Sequence, residues 1–357
     1  MKRYRFSVLK GAGRIVLALV VALGVWGLVA CGSSSKNGNG TGEPGTFVFN
    51  SGNMVEAAGE GVLAITVWEG VSEFLGLIVE LLEPDQGLGA LSGDFRLTPL
   101  QMTQPLPCIT GSATLTYDDV LADNTKATLS FEKCKIDPDP EYLILNGELV
   151  LRVSSYNAEA ESGAPFLQGN LAIDVSFDEF LDGERAQAAL KTGATRNVPL
   201  QVFREANSIA FLYGFGFPDV LLTIRETEPK QVTREFGCFD VRINFTEEDG
   251  DLRLSRTDGY TAIVVDNLAF SVSGALDFGM FQGESVPRDG RLEYRSELGR
   301  GPCRAVRAPE GITPAPTAMR LFPAPEAPLM ELDLYPNGFD QPKDEASTKL
   351  INWFDID

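Results

Sequence analysis

The feature that most constrains this 357-residue chain is a period of two that takes over beyond Gln104. Leu171, Ile173, Val175 and Phe177 alternate with Asn170, Ala172, Asp174, Ser176 and Asp178. Phe239, Val241, Ile243 and Phe245 alternate with Asp240, Arg242, Asn244 and Thr246. Successive side chains of a strand point to opposite faces, so both runs are half-buried antiparallel strands, apolar inward and polar outward. Further strand-like runs lie near 112–118, 127–134, 143–153, 198–204, 208–216, 220–226, 251–256, 260–265, 268–273, 275–281 and 291–296. Their spacing predicts a mainly β body over 105–300, built as an antiparallel β-sandwich or a curved half-barrel. With 22 Phe and 44% apolar residues the chain has material for a packed core.

A glycine recurs two residues before an apolar position at Gly147, Gly169, Gly250, Gly274 and Gly290. The intervals are irregular, which excludes a solenoid. Hairpin chemistry accounts for them: Gly supplies φ > 0 at a turn and a strand follows. Asp249-Gly250, between two alternating runs, is the clearest hairpin.

Ahead of the strands one segment has helical periodicity. From Val62 to Glu83, Thr66, Glu69, Ser72, Glu73, Gly76, Glu80 and Glu83 recur at steps of three and four and form one stripe. The other faces carry Val62, Leu63, Ile65, Trp68, Val71, Phe74, Leu75, Ile78 and Val79, and Pro84 ends the run. A helix apolar over most of its circumference belongs inside the body, and its charges are all Glu, unlike a membrane-lying helix. Residues 47–104 are thus one buried α-helix with a Pro/Gly-rich exit. At the other end, prolines 302, 309, 314, 316, 323, 325 and 328 argue against regular structure, so 301–357 reads as a Pro-rich strap and a C-terminal tail that docks through Trp353 and Phe354.

The first thirty residues are a processing segment. Lys2, Arg3, Arg5, Lys10 and Arg14 precede an uncharged run from Ile15 to Ala30, too short for an ordinary membrane span. The run ends in Leu28-Val29-Ala30-Cys31. In these residues the chain resembles the bacterial lipoprotein precursors, whose lipobox is a Leu, two small or β-branched residues and a Cys. The resemblance covers residues 1–31. It implies a signal peptide over 1–30, cleavage before Cys31, and acyl chains (palmitate among them) on the sulfur and new amino group of Cys31. Gly32, where an inner-membrane retention signal would have Asp, implies the outer membrane, with the body on the periplasmic or cell-surface face. Residues 31–46 then form the lipidated Cys and a Gly/Ser/Asn-rich flexible tether.

Removing the leader takes five bases and no acid from 30 bases and 50 acids, so the mature chain carries about −25. Such a surface repels anionic lipid and nucleic acid, and leaves acyl chains on Cys31 as the membrane attachment. Four cysteines remain, Cys108, Cys134, Cys238 and Cys303. An even count in an exported chain reads as disulfides, and Cys108–Cys134 with Cys238–Cys303 is the favoured pairing because each brackets one strand-like run.

There is no histidine, which removes Ser-His-Asp and Cys-His nucleophiles and His-ligated metals. Ser130-Phe-Glu-Lys133 and Lys191-Thr192-Gly193 match short serine-hydrolase motifs, but ATLSFEKC is strand-like and the third motif is absent. Carboxylate pairs such as Asp118/Asp119 or Asp174/Asp178 are the one acid–base chemistry left. The acidic turns Glu247, Glu248, Asp249, Asp251 and Asp137, Asp139, Glu141 lack calcium-loop spacing. No catalytic, cofactor-binding or metal residue is assigned. Two function classes follow. One is a non-enzymatic binding, assembly or surface-interaction module of the envelope, holding a hydrophobic small molecule or meeting an envelope protein. The other is a carboxylate-based hydrolase such as a glycosidase.

Overall fold

The computed structural model describes residues 45–82, 102–106, 108–118, 121–135, 142–181, 184–192, 198–205, 208–213, 220–228, 232–248, 251–266, 268–281, 284–296 and 317–356. The described part begins with a short strand β1 (Gly45–Thr46) and one helix α1 (Met54–Leu82). The strands β2 (Met102–Leu106), β3 (Thr110–Tyr117), β4 (Lys126–Lys135), β5 (Tyr142–Tyr156) and β6 (Pro165–Leu181) follow. After these come β7 (Glu184–Thr192), β8 (Val198–Glu205), β9 (Ser208–Tyr213), β10 (Val220–Glu228), β11 (Val232–Glu248) and β12 (Asp251–Val265). The series ends with β13 (Leu268–Phe281), β14 (Glu284–Arg295), β15 (Ala318–Pro323), β16 (Leu329–Tyr335) and β17 (Lys349–Asn352).

Neighbours in sequence are neighbours in space. From β2 to β6 and from β11 to β17 each strand pairs antiparallel with the next. In between, β7 and β8 follow one another along β6, and β10 and β9 share β11 in the same way. The outcome is one up-and-down antiparallel sheet of 14 rows that does not close. Among the described residues only β1 pairs parallel, two residues beside the start of β13. The structure is mainly β around a single helix, and the single sheet selects the curved half-barrel over a sandwich of two sheets.

The period-two pattern holds where it was strongest. Leu171, Ile173, Val175 and Phe177 are buried, as are Val241, Ile243 and Phe245. A bulge between Gly237 and Asp240 of β11 then swaps the faces, so Arg234 and Phe236 point inward upstream of it. Strands β11 and β12 pair directly on either side of 249–250 as expected, with Glu248 opposite Asp251, but three other recurring glycines are not at turns. Gly147, Gly274 and Gly290 lie inside strands β5, β13 and β14, at φ of 108°, 137° and 90°. A Cβ there would run into the carbonyls of Asp174, Arg291 and Ala275 on the neighbouring strands. These glycines let neighbouring backbones close up, and Gly274 joins 268–273 to 275–281 in one strand; 251–256 and 260–265 are likewise one continuous strand, β12.

The helix is held inside that curve. Ala57 to Ile65 are buried on every side, and α1 touches β11, β12 and β16, rows up to five apart in the sheet. It begins at Met54, eight residues before the periodicity suggests, from a knot of asparagine side chains. Asn53 Oδ1 accepts from the Asn50 amide (2.8 Å), its Nδ2 donates to the Val48 carbonyl (2.8 Å), and Asn50 Oδ1 accepts from the Gly52 amide (2.8 Å). Phe47 and Phe49 then anchor the segment on Phe270 (5.0 and 5.6 Å), and Phe270 stacks with Tyr294 (6.4 Å).

Beyond 316 the sheet continues. Strand β15 pairs with both β14 and β16, against the expectation of an irregular strap, because Ala318–Phe322 is free of proline and Pro323 stands at the strand end. Trp353 docks as expected, 6.1 Å from Phe278, while Phe354 stays 40% exposed. Cys108 and Cys134 are bonded, tying the start of β3 to the end of β4. The side chain of Cys238 and all of Cys303 lie outside the described residues, as do the leader, Cys31 and the tether. Among the described residues no helix is long and apolar enough to cross a membrane.

Candidate functional site

The helix carries two carboxylates into the interior, and the sheet treats them differently. Glu60 sits in the stretch buried all round, 1% exposed, and Arg234 of β11 reaches it with Nε at 2.7 and 2.9 Å from the two carboxylate oxygens. Both charges are out of water, so each depends on the other. Beside them the Tyr294 hydroxyl donates to the Ala58 carbonyl (3.0 Å), and burial, then the Glu60 charge, push that phenol up from its ordinary value. Gly61 is the reason Tyr294 fits, since a Cβ there would fall on the phenol ring.

Glu69 lies nine residues further on, half a turn around the helix from Glu60. No hydrogen bond or ion pair reaches its carboxyl among the described residues. Desolvation raises it to about 7. Its neighbours Trp68, Val71 and Ser72 are 4%, 7% and 0% exposed, yet Glu69 and Thr66, one turn away, keep accessible surface. The small hydroxyls of the stripe fold back on the helix: Thr66 Oγ1 donates to the Val62 carbonyl (3.2 Å) and Ser72 Oγ to that of Trp68 (2.9 Å). At this level of the helix Thr66 and Glu69 keep part of their surface accessible, and the Glu69 carboxyl has no partner among the described residues. Sequence periodicity puts Thr66 and Glu69 on one stripe but predicts that the stripe is polar throughout; Ser72 and Gly76 are instead buried.

A second hollow, of about 370 Å³, lies on the outer face of β5, β6 and β7. Asn146, Ser176, Asp178, Gln187 and Ala189 line it, with the backbone of Phe177 and Ala188 as floor. It exists because Asn146, Ser176 and Ala189 are register partners with small side chains.

The acid–base candidates do not assemble. Asp174 and Asp178 stand four residues apart on one face of β6, about 13 Å along the strand, wider than either glycosidase spacing. Asp174 meets the exposed Lys191 at 3.2 Å across the pair of strands. Asp118 Oδ1 accepts from the Lys126 amide (2.7 Å), and Asp119 lies outside the described residues. Ser130 and Lys133 are on strand β4, without the helix turn that the S-x-x-K chemistry requires. Thr192 Oγ1 is bonded to the Ile173 backbone (3.1 Å), and Gly193 is not among the described residues. Residues 137–141 and 249, and the side chains of Glu247, Glu248 and Asp251, are likewise outside. Among the described residues no group of three metal-ligating side chains converges.

No protein-family model, curated protein or solved structure matches this chain. Function is therefore argued from the site alone.

Proposed function

We propose that this chain is an outer-membrane lipoprotein, anchored by acyl chains on Cys31, whose curved sheet and internal helix serve as a non-enzymatic binding module for a hydrophobic guest. The lipobox Leu28-Val29-Ala30-Cys31 supports the anchor, and two acyl chains are what stable attachment requires. For the guest, one observation carries the reading: Thr66 and Glu69 retain accessible surface while the described positions Ile65, Trp68, Val71 and Ser72 around them are buried. Apolar walls with a few placed polar groups are the usual lining of a small-molecule site.

Two experiments test the two halves. Palmitate labelling of the full precursor is expected to mark the wild-type chain and to fail in Cys31→Ala. Titration with a hydrophobic fluorophore is expected to saturate in the mature protein and to lose most of its signal in Thr66→Trp, which fills the space beside Glu69. Unlabelled wild type would remove the anchor. Undiminished fluorophore binding in Thr66→Trp would remove the guest.

A further inference from the structure

The hollow of about 370 Å³ on the outer face of β5–β7 stands apart from the helix, and its lining is chemically selective. It holds two amides, a hydroxyl, one carboxylate and alanine, while the side chain of Phe177 is buried on the opposite face of the sheet. Asn146, Ser176 and Ala189, register partners across the three strands, make one row. Asp178 and Gln187, again partners, make the next row, two residues along. Rows on one face of a sheet are about 7 Å apart and three strands span about 10 Å, a footprint for a small ring molecule.

One corner of the hollow is fixed by the neighbouring strand. In β4, Glu132 and Lys133 together oppose the single residue Asn146, forming a β-bulge in which Lys133 has a left-handed φ of 46°. The Lys133 amide donates to Asn146 Oδ1 (2.9 Å). That bond orients the side chain and leaves its NH2 group as the part still to be satisfied. The Cys108–Cys134 bridge secures the same stretch, since Cys134 is the register partner of Leu145. The Nδ2 of Asn146, the Ser176 hydroxyl and the Gln187 side-chain amide have no hydrogen-bond partner among the described residues. Asp178 is engaged within the protein, but a carboxylate has about four acceptor sites. A polar group already held in place loses little side-chain freedom when a ligand binds.

Most ligand classes do not fit. Strands β5, β6 and β7 are paired on both sides at this level, so a peptide finds no backbone edge to join. An anion would face Asp178 with no cation in the lining, and Lys191, one row along, is tied to Asp174 at 3.2 Å. A metal ion would find a single carboxylate, and a hydrophobic molecule only alanine methyl groups. A hydroxyl both donates and accepts, so a neutral molecule carrying several of them suits this mixture of NH2, hydroxyl and carboxylate groups. We propose that the hollow binds a neutral saccharide, whose ring hydroxyls bond to Asn146 Nδ2, Ser176, Gln187 and Asp178 while its C–H face lies over Ala189. The site is independent of Cys31 and of the guest at Glu69.

The test uses the full mature chain in phosphocholine micelles, which bring no sugar headgroup. Maltotriose, cellotriose and triacetylchitotriose are the neutral probes and trigalacturonate the anionic one, with ligand-observed NMR for affinity and amide hydrogen exchange for location. At least one neutral trisaccharide is expected to bind with a Kd of about 1 mM or tighter, and trigalacturonate about ten-fold more weakly. Exchange should slow over 144–148, 174–178 and 186–190. Ala189→Leu, which fills the hollow, should weaken binding about ten-fold, and Gln187→Ala, at an exposed position, about three-fold. Unchanged melting curves check the fold of both variants. Absence of binding by all three neutral probes overturns the proposal, as does binding undiminished in both variants. Trigalacturonate binding as tightly as the neutral probes overturns the assignment of a neutral ligand.

Discussion

One helix carries two carboxylates, nine residues apart, into the same body, and the halves around them are built to different ends. Around Glu60 the chain has closed every gap: Arg234 neutralises the charge, Gly61 admits the Tyr294 ring, and the Phe47–Phe49–Phe270 cluster seals the flank. Around Glu69 no cation stands among the described residues, and desolvation by burial raises the carboxyl to about 7. Among the described residues the fold pairs the carboxylate at one level of the helix and supplies no partner at the next. The first half is scaffold. The second keeps accessible surface at Thr66 and Glu69, with a carboxyl that has no partner among the described residues, and that combination motivates the binding-site proposal.

The sharpest way to break this comparison is to remove Arg234. In Arg234→Met, Glu60 is left buried without its partner, and urea denaturation is expected to show a loss of about 3–5 kcal/mol. The double variant Glu60→Leu/Arg234→Met should recover most of it, since an apolar pair of similar volume avoids desolvation. If the double variant is as unstable as the single one, Glu60 and Arg234 are not a closed pair. A smaller effect comes from Gly61→Ala, which pushes a methyl into the Tyr294 ring and is expected to cost about 1–3 kcal/mol in the same measurement.

Glu69 gives the pH signature of the second half. Its folded value, about 7, lies above the unfolded 4.5, so the folded chain holds the extra proton between those limits. Stability contributed by this group is therefore present at low pH, falls as pH climbs from about 4.5 to 7, and is level above that. The expected drop is about 1–2 kcal/mol once the water that reaches this partly exposed carboxyl is allowed for. Glu69→Gln should flatten that slope in denaturation curves taken across the window. An unchanged slope would mean that Glu69 is solvated like any surface acid.

Much of the scaffold half is written locally, and much of the rest is not. The alternation through 170–178 and 239–246 states the strand class and the inward face outright, because burial on one side leaves a period-two record. The start of the helix is hidden, since Glu56, Gly59, Glu60 and Gly61 break the apolar run, and only the surrounding sheet makes sense of them. Strand β7 is similarly silent: Ala186, Ala188 and Ala189 show no contrast between faces. A polar residue inside a strand, such as Arg234, reads as outward-facing until the bulge at 237–240 turns it in. Prolines near 314–328 mask β15 and β16 for the opposite reason, because the rule against proline in a sheet interior says nothing of the short stretches between prolines. Of the interior site, Thr66 and Glu69 are legible as stripe members. That they keep accessible surface while Ser72 and Gly76 of the same stripe are buried depends on packing by strands far away in the chain.

The central claim, that the second half of the helix faces a guest, is tested most directly by native mass spectrometry of the mature protein taken from membranes in mild detergent. The account predicts the acylated polypeptide plus a further non-covalently held amphiphile, released on unfolding and missing from Thr66→Trp. Recovery of the acylated polypeptide alone, identical in mass pattern for wild type and Thr66→Trp, would contradict it.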